Sequence, residues 1–186
     1  MSVKSIDYDG ENITLRDENG RVVTQSKAVS GAAGFTAPEY QSRERLGPIP
    51  EGTYKINPSQ IDYRDTLAER LFWSSGWGNG RVPLNPQQGT DTLGRNGFFL
   101  HGSLPPNGYG SAGCVDVNQD DVRILKILEQ FGDPEITFKV DYSTQKNHWP
   151  SSMGGAPNNG NNPANPNASP YANPATPWHN PFNDPE

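Results

Sequence analysis

A single cysteine, Cys114, stands among the 186 residues of the chain. That excludes an intrachain disulfide and a cysteine-based zinc cage. No apolar run approaches the roughly 18 residues needed to span a bilayer. The opening stretch, MSVKSIDYDGENITL, has no positive n-region followed by an apolar h-region, so export by a Sec signal is not indicated. Positive charge is also short, with 15 Lys and Arg against 21 Asp and Glu, a formal charge of −6 and a pI near 5.0. The cations are scattered, which argues against a nucleic-acid surface. Aliphatic residues are scarce too, and the scarcity is local. Residues 150–186 hold nine of the 18 prolines and nine asparagines, but no Lys, Arg, Val, Ile or Leu. Such a composition cannot offset the entropy of ordering, so a disordered tail is expected there. The alternative is a docking segment that orders on a partner. Residues 1–149 then form the one folded domain, long enough to bury a core of its own.

What remains is a pattern of short strands. Residues 3–8, 12–17 and 21–29 alternate in places and are separated by Asp9-Gly10 and Asn19-Gly20, both strong hairpin signals. Further strands are expected at 53–57, 97–101, 113–117 and 135–142, and one or two helical turns at 65–73. One amphipathic helix follows Asn118, a plausible N-cap. Asp120 and Asp121 suit its positive end, Ile124, Ile127, Leu128 and Phe131 form its apolar stripe, and Gly132 lies beyond its last turn. The fold class expected is mainly β, a β-rich α+β domain with one principal helix.

The chemistry concentrates in 97–118, GFFLHGSLPPNGYGSAGCVDVN. Gly108, Gly110 and Gly113 spell G-x-G-x-x-G, but that fingerprint works only between a strand and the helix it opens. Here it runs into a strand, so a nucleotide site is rejected. The sharper reading is a cysteine nucleophile with a histidine base. Alternation turns Val115 and Val117 to the core and Cys114, Asp116 and Asn118 to the opposite face. Phe98 and Leu100 facing the core likewise put His101 on the accessible face. If the two strands are neighbours, thiol and imidazole can meet, and a His-activated thiolate of lowered pKa is expected. The N–H groups of Gly113 and Cys114 are candidate oxyanion donors. Asp116, on the same face as the thiol, should work against the thiolate. His148 and His179 read as solvated bystanders. No three ligands stand at a metal-binding spacing, so neither metal nor cofactor is expected.

These residues resemble a known family. FFLHGS…SAGCVDVN is similar to the His…Ser-x-Gly-Cys signature of the L,D-transpeptidase catalytic domain, and GPIPEGTYKI (47–56) resembles the stretch that precedes it in that fold. WGNGRVPL (77–84), LGRNGFFLHGS (93–103) and YGSAGCVDV (109–117) are together similar to the type VI secretion L,D-transpeptidase effectors. The resemblance covers roughly residues 46–131. It implies an L,D-transpeptidase-like β-sandwich, with Cys114 as nucleophile, His101 as base, and Ser111 and Gly113 shaping the site. Where many relatives carry His and Arg, two residues before and two after the cysteine, this chain has Ala112 and Asp116. Recognition of a substrate carboxylate could then pass to Arg81 or Arg95 through a bidentate fork, with Asp116 as a further substrate-facing group.

The function implied is a cysteine-dependent L,D-carboxypeptidase or L,D-transpeptidase acting on peptidoglycan stem peptides. Made in the cytoplasm without a Sec signal, it would be secreted, would act in a target cell's periplasm, and would have as partners a cognate immunity protein and, through the tail, a secretion-machine component. Two alternatives stay open. One is another cell-wall amidase or phage lysis enzyme on the same scaffold. The other is a non-catalytic wall-binding or secretion-adaptor module in which Cys114 is structural.

Overall fold

The computed structural model describes residues 2–64, 75–103 and 110–144, and among these two β-sheets and one α-helix close on a shared apolar core. The helical turns expected at 65–73, the tail, and His148 and His179 lie outside the described residues.

Sheet one has six strands. The chain opens with β1 (Val3–Tyr8), β2 (Asn12–Arg16) and β3 (Val22–Lys27), an antiparallel meander. Its turns form where the sequence placed them. Asp9 Oδ1 accepts the Glu11 and Asn12 N–H groups at 2.9 and 2.7 Å, and Gly10 takes the positive φ such a reversal needs. β5 (Gly52–Ile56), β8 (Asn85–Pro86) and β11 (Gly132–Val140) complete the order β3-β2-β1-β11-β5-β8, with β1 parallel to β11. Ile6, Tyr8, Ile13, Leu15, Tyr54, Ile56, Ile136, Phe138 and Val140 alternate inward along these strands and are fully buried or nearly so.

Sheet two is built from shorter pieces: β4 (Val29–Ser30), β6 (Asp62–Tyr63), β7 (Gly80–Pro83), β9 (Phe99–His101) and β10 (Val115–Asp116), in the order β4-β10-β9-β7-β6. Its inward row is Ser30, Val115, Leu100 and Val82, all buried. Tyr54 of sheet one meets Phe98, which leads into β9, edge to face at 5.8 Å, joining the two layers.

The helix α1 (Asp121–Phe131) packs against β7 of sheet two and against β1 and β11 of sheet one. Its buried face is Asp121, Ile124, Leu125 and Leu128. The expected stripe is therefore rotated: Leu125 is inside, while Phe131 is 45% exposed. A carboxylate occupies the first inward position, which an apolar template does not anticipate. Asn118 does not cap α1 either. It starts a 3-10 turn (Asn118–Asp120) with φ of 61°, and its N–H is held at 2.7 Å by Asp116 Oδ1. Among the described residues, no helix is long and apolar enough to cross a membrane.

Candidate active site

Sheet two presents two different faces. Opposite its apolar row, the strand register aligns Val29, Asp116, His101, Arg81 and Asp62 across β4, β10, β9, β7 and β6. Partners across paired strands leave the same face, about 4.8 Å apart. The sheet therefore carries a carboxylate, an imidazole, a guanidinium and a second carboxylate in one row. β9 and β10 are neighbouring and parallel, so the faces expected for Cys114 and His101 coincide.

Cys114 lies one residue before β10. The register sets it opposite Phe99, with His101 two residues further along β9. The thiol is 8% exposed and points its hydrogen towards the Gly97 carbonyl at 3.8 Å. Burial pushes its pKa up to about 12, although the Phe99 N–H and the guanidinium of Arg95 favour the anion. The depressed pKa expected from the sequence is thus not found: the resting group is a neutral thiol, because loss of solvent outweighs the nearby donors.

His101 is 3% exposed. Its Nδ1 donates to the Gly102 carbonyl at 2.6 Å, which fixes the tautomer and leaves Nε2 with the lone pair. The Trp77 ring lies edge-on at 5.1 Å. Burial lowers the imidazole pKa, with Asp116 the largest opposing charge, Asp121 also raising it and Arg81 lowering it. No hydrogen bond joins His101 to Cys114. The pair shares a face and a neighbourhood without a resting contact.

The turn before the cysteine is shaped by Ser111. Its hydroxyl donates to the Cys114 carbonyl at 2.5 Å and accepts the Gly113 N–H at 3.2 Å. That N–H is therefore engaged, and of the two expected oxyanion donors the one at Cys114 is left. Gly113 has a φ of 119°, and a Cβ there would run into Arg95 Nη2. Only glycine fits both the backbone and the space.

Arg95 does not offer a free fork. Nη1 donates to the Gln41 and Pro48 carbonyls at 2.5 and 2.6 Å, and Nη2 to those of Gly47 and Ala112 at 3.0 and 3.1 Å. These four bonds use every Nη hydrogen. The guanidinium that the sequence suggested for a substrate carboxylate instead ties the 41–48 segment to the turn before Cys114. Arg81 is nearer that role. Its Nε and Nη2 reach Asp62 Oδ2 at 3.1 and 3.0 Å, it lies over the rings of Trp77 and Phe99 at 5.0 and 5.6 Å, and its side chain keeps 17% exposure.

Asp116 is 1% exposed, which removes it from direct contact with a substrate in this conformation. Burial raises its pKa while His101 and the Asn118 N–H lower it. Asp121 is a site residue that the sequence reading took only as helix-end charge. Its Oδ2 accepts the Asn79 and Gly80 N–H groups at 2.5 and 3.2 Å, and a Cβ on Gly102 or Gly78 would run into it. It thereby holds the loop entering β7 and lies close against Gly102, whose carbonyl orients His101. The available signal was its position: residues 121, 124, 125 and 128 keep the i, i+3, i+4, i+7 spacing. Among the described residues no three of His, Cys, Asp and Glu gather into a metal-holding group.

The family model of the Tlde1 domain matches residues 24–139, beginning within β3. No curated protein matches. Among solved structures, Bd1075 from Bdellovibrio bacteriovorus is 20% identical with a TM-score of 0.52, over 76% of this chain and 48% of that one. A variant of the helical cell shape determining protein Pgp2 from Campylobacter jejuni is 12% identical with a TM-score of 0.48, over 75% of this chain and 47% of that one. The chain spans about half the length of these two structures. At such identity the likeness to Bd1075 concerns the fold.

Proposed function

From the premise that the chain belongs to the Tlde1 domain family, a type VI secretion effector family with peptidoglycan-related activity, we propose that it is a cysteine-dependent L,D-carboxypeptidase or L,D-exchange enzyme acting on tetrapeptide stems. The observation that carries the reading is the placement of Cys114 and His101 on one face of adjacent parallel strands, with the imidazole's Nδ1–H fixed on Gly102. Substrate binding brings the scissile carbonyl against Cys114. Nε2 of His101 takes the thiol proton as sulfur attacks the carbonyl on the L-side of an L-to-D peptide bond. The C–S bond forms, the Cys114 N–H faces the oxyanion, and the C–N bond breaks as His101 returns the proton to the departing D-alanine amine. Water, a free D-amino acid or a second stem then takes the acyl group. A raised resting pKa suits this order, because the proton leaves only when a base and an electrophile are both in place.

Arg81 is the group proposed to meet the stem's carboxylate, and Ser111 and Gly113 hold the nucleophile's turn. No cofactor enters the scheme. Action in the target-cell periplasm, restraint by an immunity protein, and the division into a catalytic domain (1–149) and a delivery tail (150–186) belong to the same proposal. Mass spectrometry of muropeptides incubated with the purified protein tests it: tetrapeptide stems should become tripeptides, and Cys114→Ala should leave them intact. The buried thiol is the observation that favours the second reading, a wall-binding module with a structural cysteine. Retained wall binding and an unchanged phenotype in Cys114→Ala would decide for that module. Removing 150–186 should leave turnover on isolated muropeptides unchanged, and a fall in turnover would reject the domain boundary.

A further inference from the structure

We propose that Asp116 is a positioning residue of the reaction, its buried carboxylate standing beside His101 to stabilise the imidazolium formed when that ring takes the thiol proton. The inference rests on the catalytic reading above and deepens it. It reverses the expectation that Asp116 acts chiefly against the thiolate.

Register decides which neighbour the carboxylate serves. Asp116 pairs with His101 across β10 and β9, so the two side chains leave one face at the strand spacing of about 4.8 Å. Cys114 lies two residues back along the chain, about 7 Å away along the strand direction. The imidazole is therefore the nearer partner, and Coulomb energy favours the nearer contact.

The carboxylate is also held in an unusual way. Oδ1 accepts the Asn118 N–H at 2.7 Å, whereas the buried Oδ2 has no hydrogen-bond partner. A buried acceptor left unmatched is costly and calls for a reason. Asp121 also keeps one unpartnered oxygen, but its other oxygen has a structural task on two backbone N–H groups. The partners of Asp116 are local, the Asn118 N–H and the nearby Ser103 hydroxyl. Its free oxygen lies in a row whose next member must become a cation during the reaction.

The need for such a group follows from burial. His101 has almost no solvent and sits against Trp77, so a bare imidazolium there would be strongly disfavoured. Among the described residues, the charged groups facing it are Asp116 from β10, Asp121 from α1 and Arg81 from β7. Arg81 opposes the cation and is itself engaged by Asp62. Asp116 is the largest favourable charge. Many relatives carry an arginine at this position, as the resemblance has it, so the site here reaches its charge balance by another arrangement.

The test reads the ring itself. His101 is one of three histidines, and its ring resonances can be followed against pH by NMR in the wild type and in Asp116→Asn. Loss of the carboxylate destabilises the imidazolium, so the midpoint should fall by about one pH unit or more. The acid limb of kcat/KM on tetrapeptide stems should move to lower pH by the same amount. Its plateau should drop about ten- to a hundredfold with KM little changed. An unshifted His101 midpoint overturns the proposal, and wild-type turnover then leaves the functional reading standing. A shifted midpoint with no D-alanine release by the wild type overturns both. If Asp116→Asn does not fold, carbon-detected titration of Asp116 in the wild type takes its place: midpoints shared with His101 support the pairing, and independent ones overturn it.

Discussion

Sheet one and sheet two close on the same core, yet their strands are held by different means. In sheet one, β1, β2, β3, β5 and β11 run five to nine residues, and in all of these but β3 aliphatic and aromatic side chains alternate inward. In sheet two no strand exceeds four residues. Its order leans on polar side chains instead. Ser30 accepts the Ile49 N–H and donates to the Gly113 carbonyl, Arg95 spans four carbonyls, and Asp121 takes two N–H groups. Apolar alternation sets a layer but not the direction of individual atoms. Short strands pinned by hydrogen bonds can place a thiol, an imidazole and a carboxylate within a fraction of an ångström of a required geometry. The first sheet is the scaffold against which the second is positioned.

The sharpest way to separate the two is to probe the thiol. Iodoacetamide should label folded Cys114 at pH 7 far more slowly than an ordinary cysteine, because a pKa raised from 9.0 to about 12 reduces the thiolate fraction about a thousandfold. The rate should climb steadily as pH rises past 9, and rapid labelling at pH 7 would show a solvated thiol. The linkage has one sign: an acid whose folded pKa is raised contributes nothing below its unfolded pKa, and costs stability as pH rises above that value towards the folded one.

Substitutions in the two sheets should then diverge. Phe138→Ala, in the middle of the scaffold, should cost about 3–5 kcal/mol by chemical denaturation, while turnover per folded molecule stays at the wild-type level. Arg95→Ala removes the donors of four carbonyls and should cost about 2–4 kcal/mol, with turnover falling as the turn before Cys114 loosens. Arg95→Lys should rescue neither property, since an ammonium cannot span those acceptors. Stability equal to the wild type with a raised KM alone would return Arg95 to substrate binding. At the small end, Lys55→Ala deletes an exposed pair with Glu135 on sheet one. It should change stability by less than about 1 kcal/mol, and a larger loss would mean that sheet one also depends on polar contacts.

This contrast also explains what the sequence made legible. The long strands of sheet one could be read closely, because they follow a period of two and their turns carry Asp-Gly and Asn-Gly, whereas the two-residue β8 was not expected. The faces of Cys114, His101 and Asp116 followed from the same period. Arg95 was misjudged because its partners are backbone carbonyls of Gln41, Gly47, Pro48 and Ala112, and a carbonyl leaves no mark in a sequence. Asp121 was passed over because helix templates expect an apolar residue at an inward position. The identity of the nearer neighbour of Asp116 needed the β9–β10 register, which alternation along one strand cannot supply. The thiol's raised pKa needed its burial, which alternation along one strand does not give.

The central claim is that Cys114 becomes covalently acylated by a stem peptide with His101 as base. Intact-protein mass spectrometry tests it most directly, on wild type, Cys114→Ala and His101→Ala quenched in acid after brief incubation with a tetrapeptide-stem muropeptide. The account predicts a wild-type adduct equal to the stem minus its terminal D-alanine, mapped to Cys114 by peptide digestion. The adduct should be absent from Cys114→Ala and strongly reduced in His101→Ala. Stems trimmed by a wild type that never carries an adduct, or trimmed equally by Cys114→Ala, would contradict it.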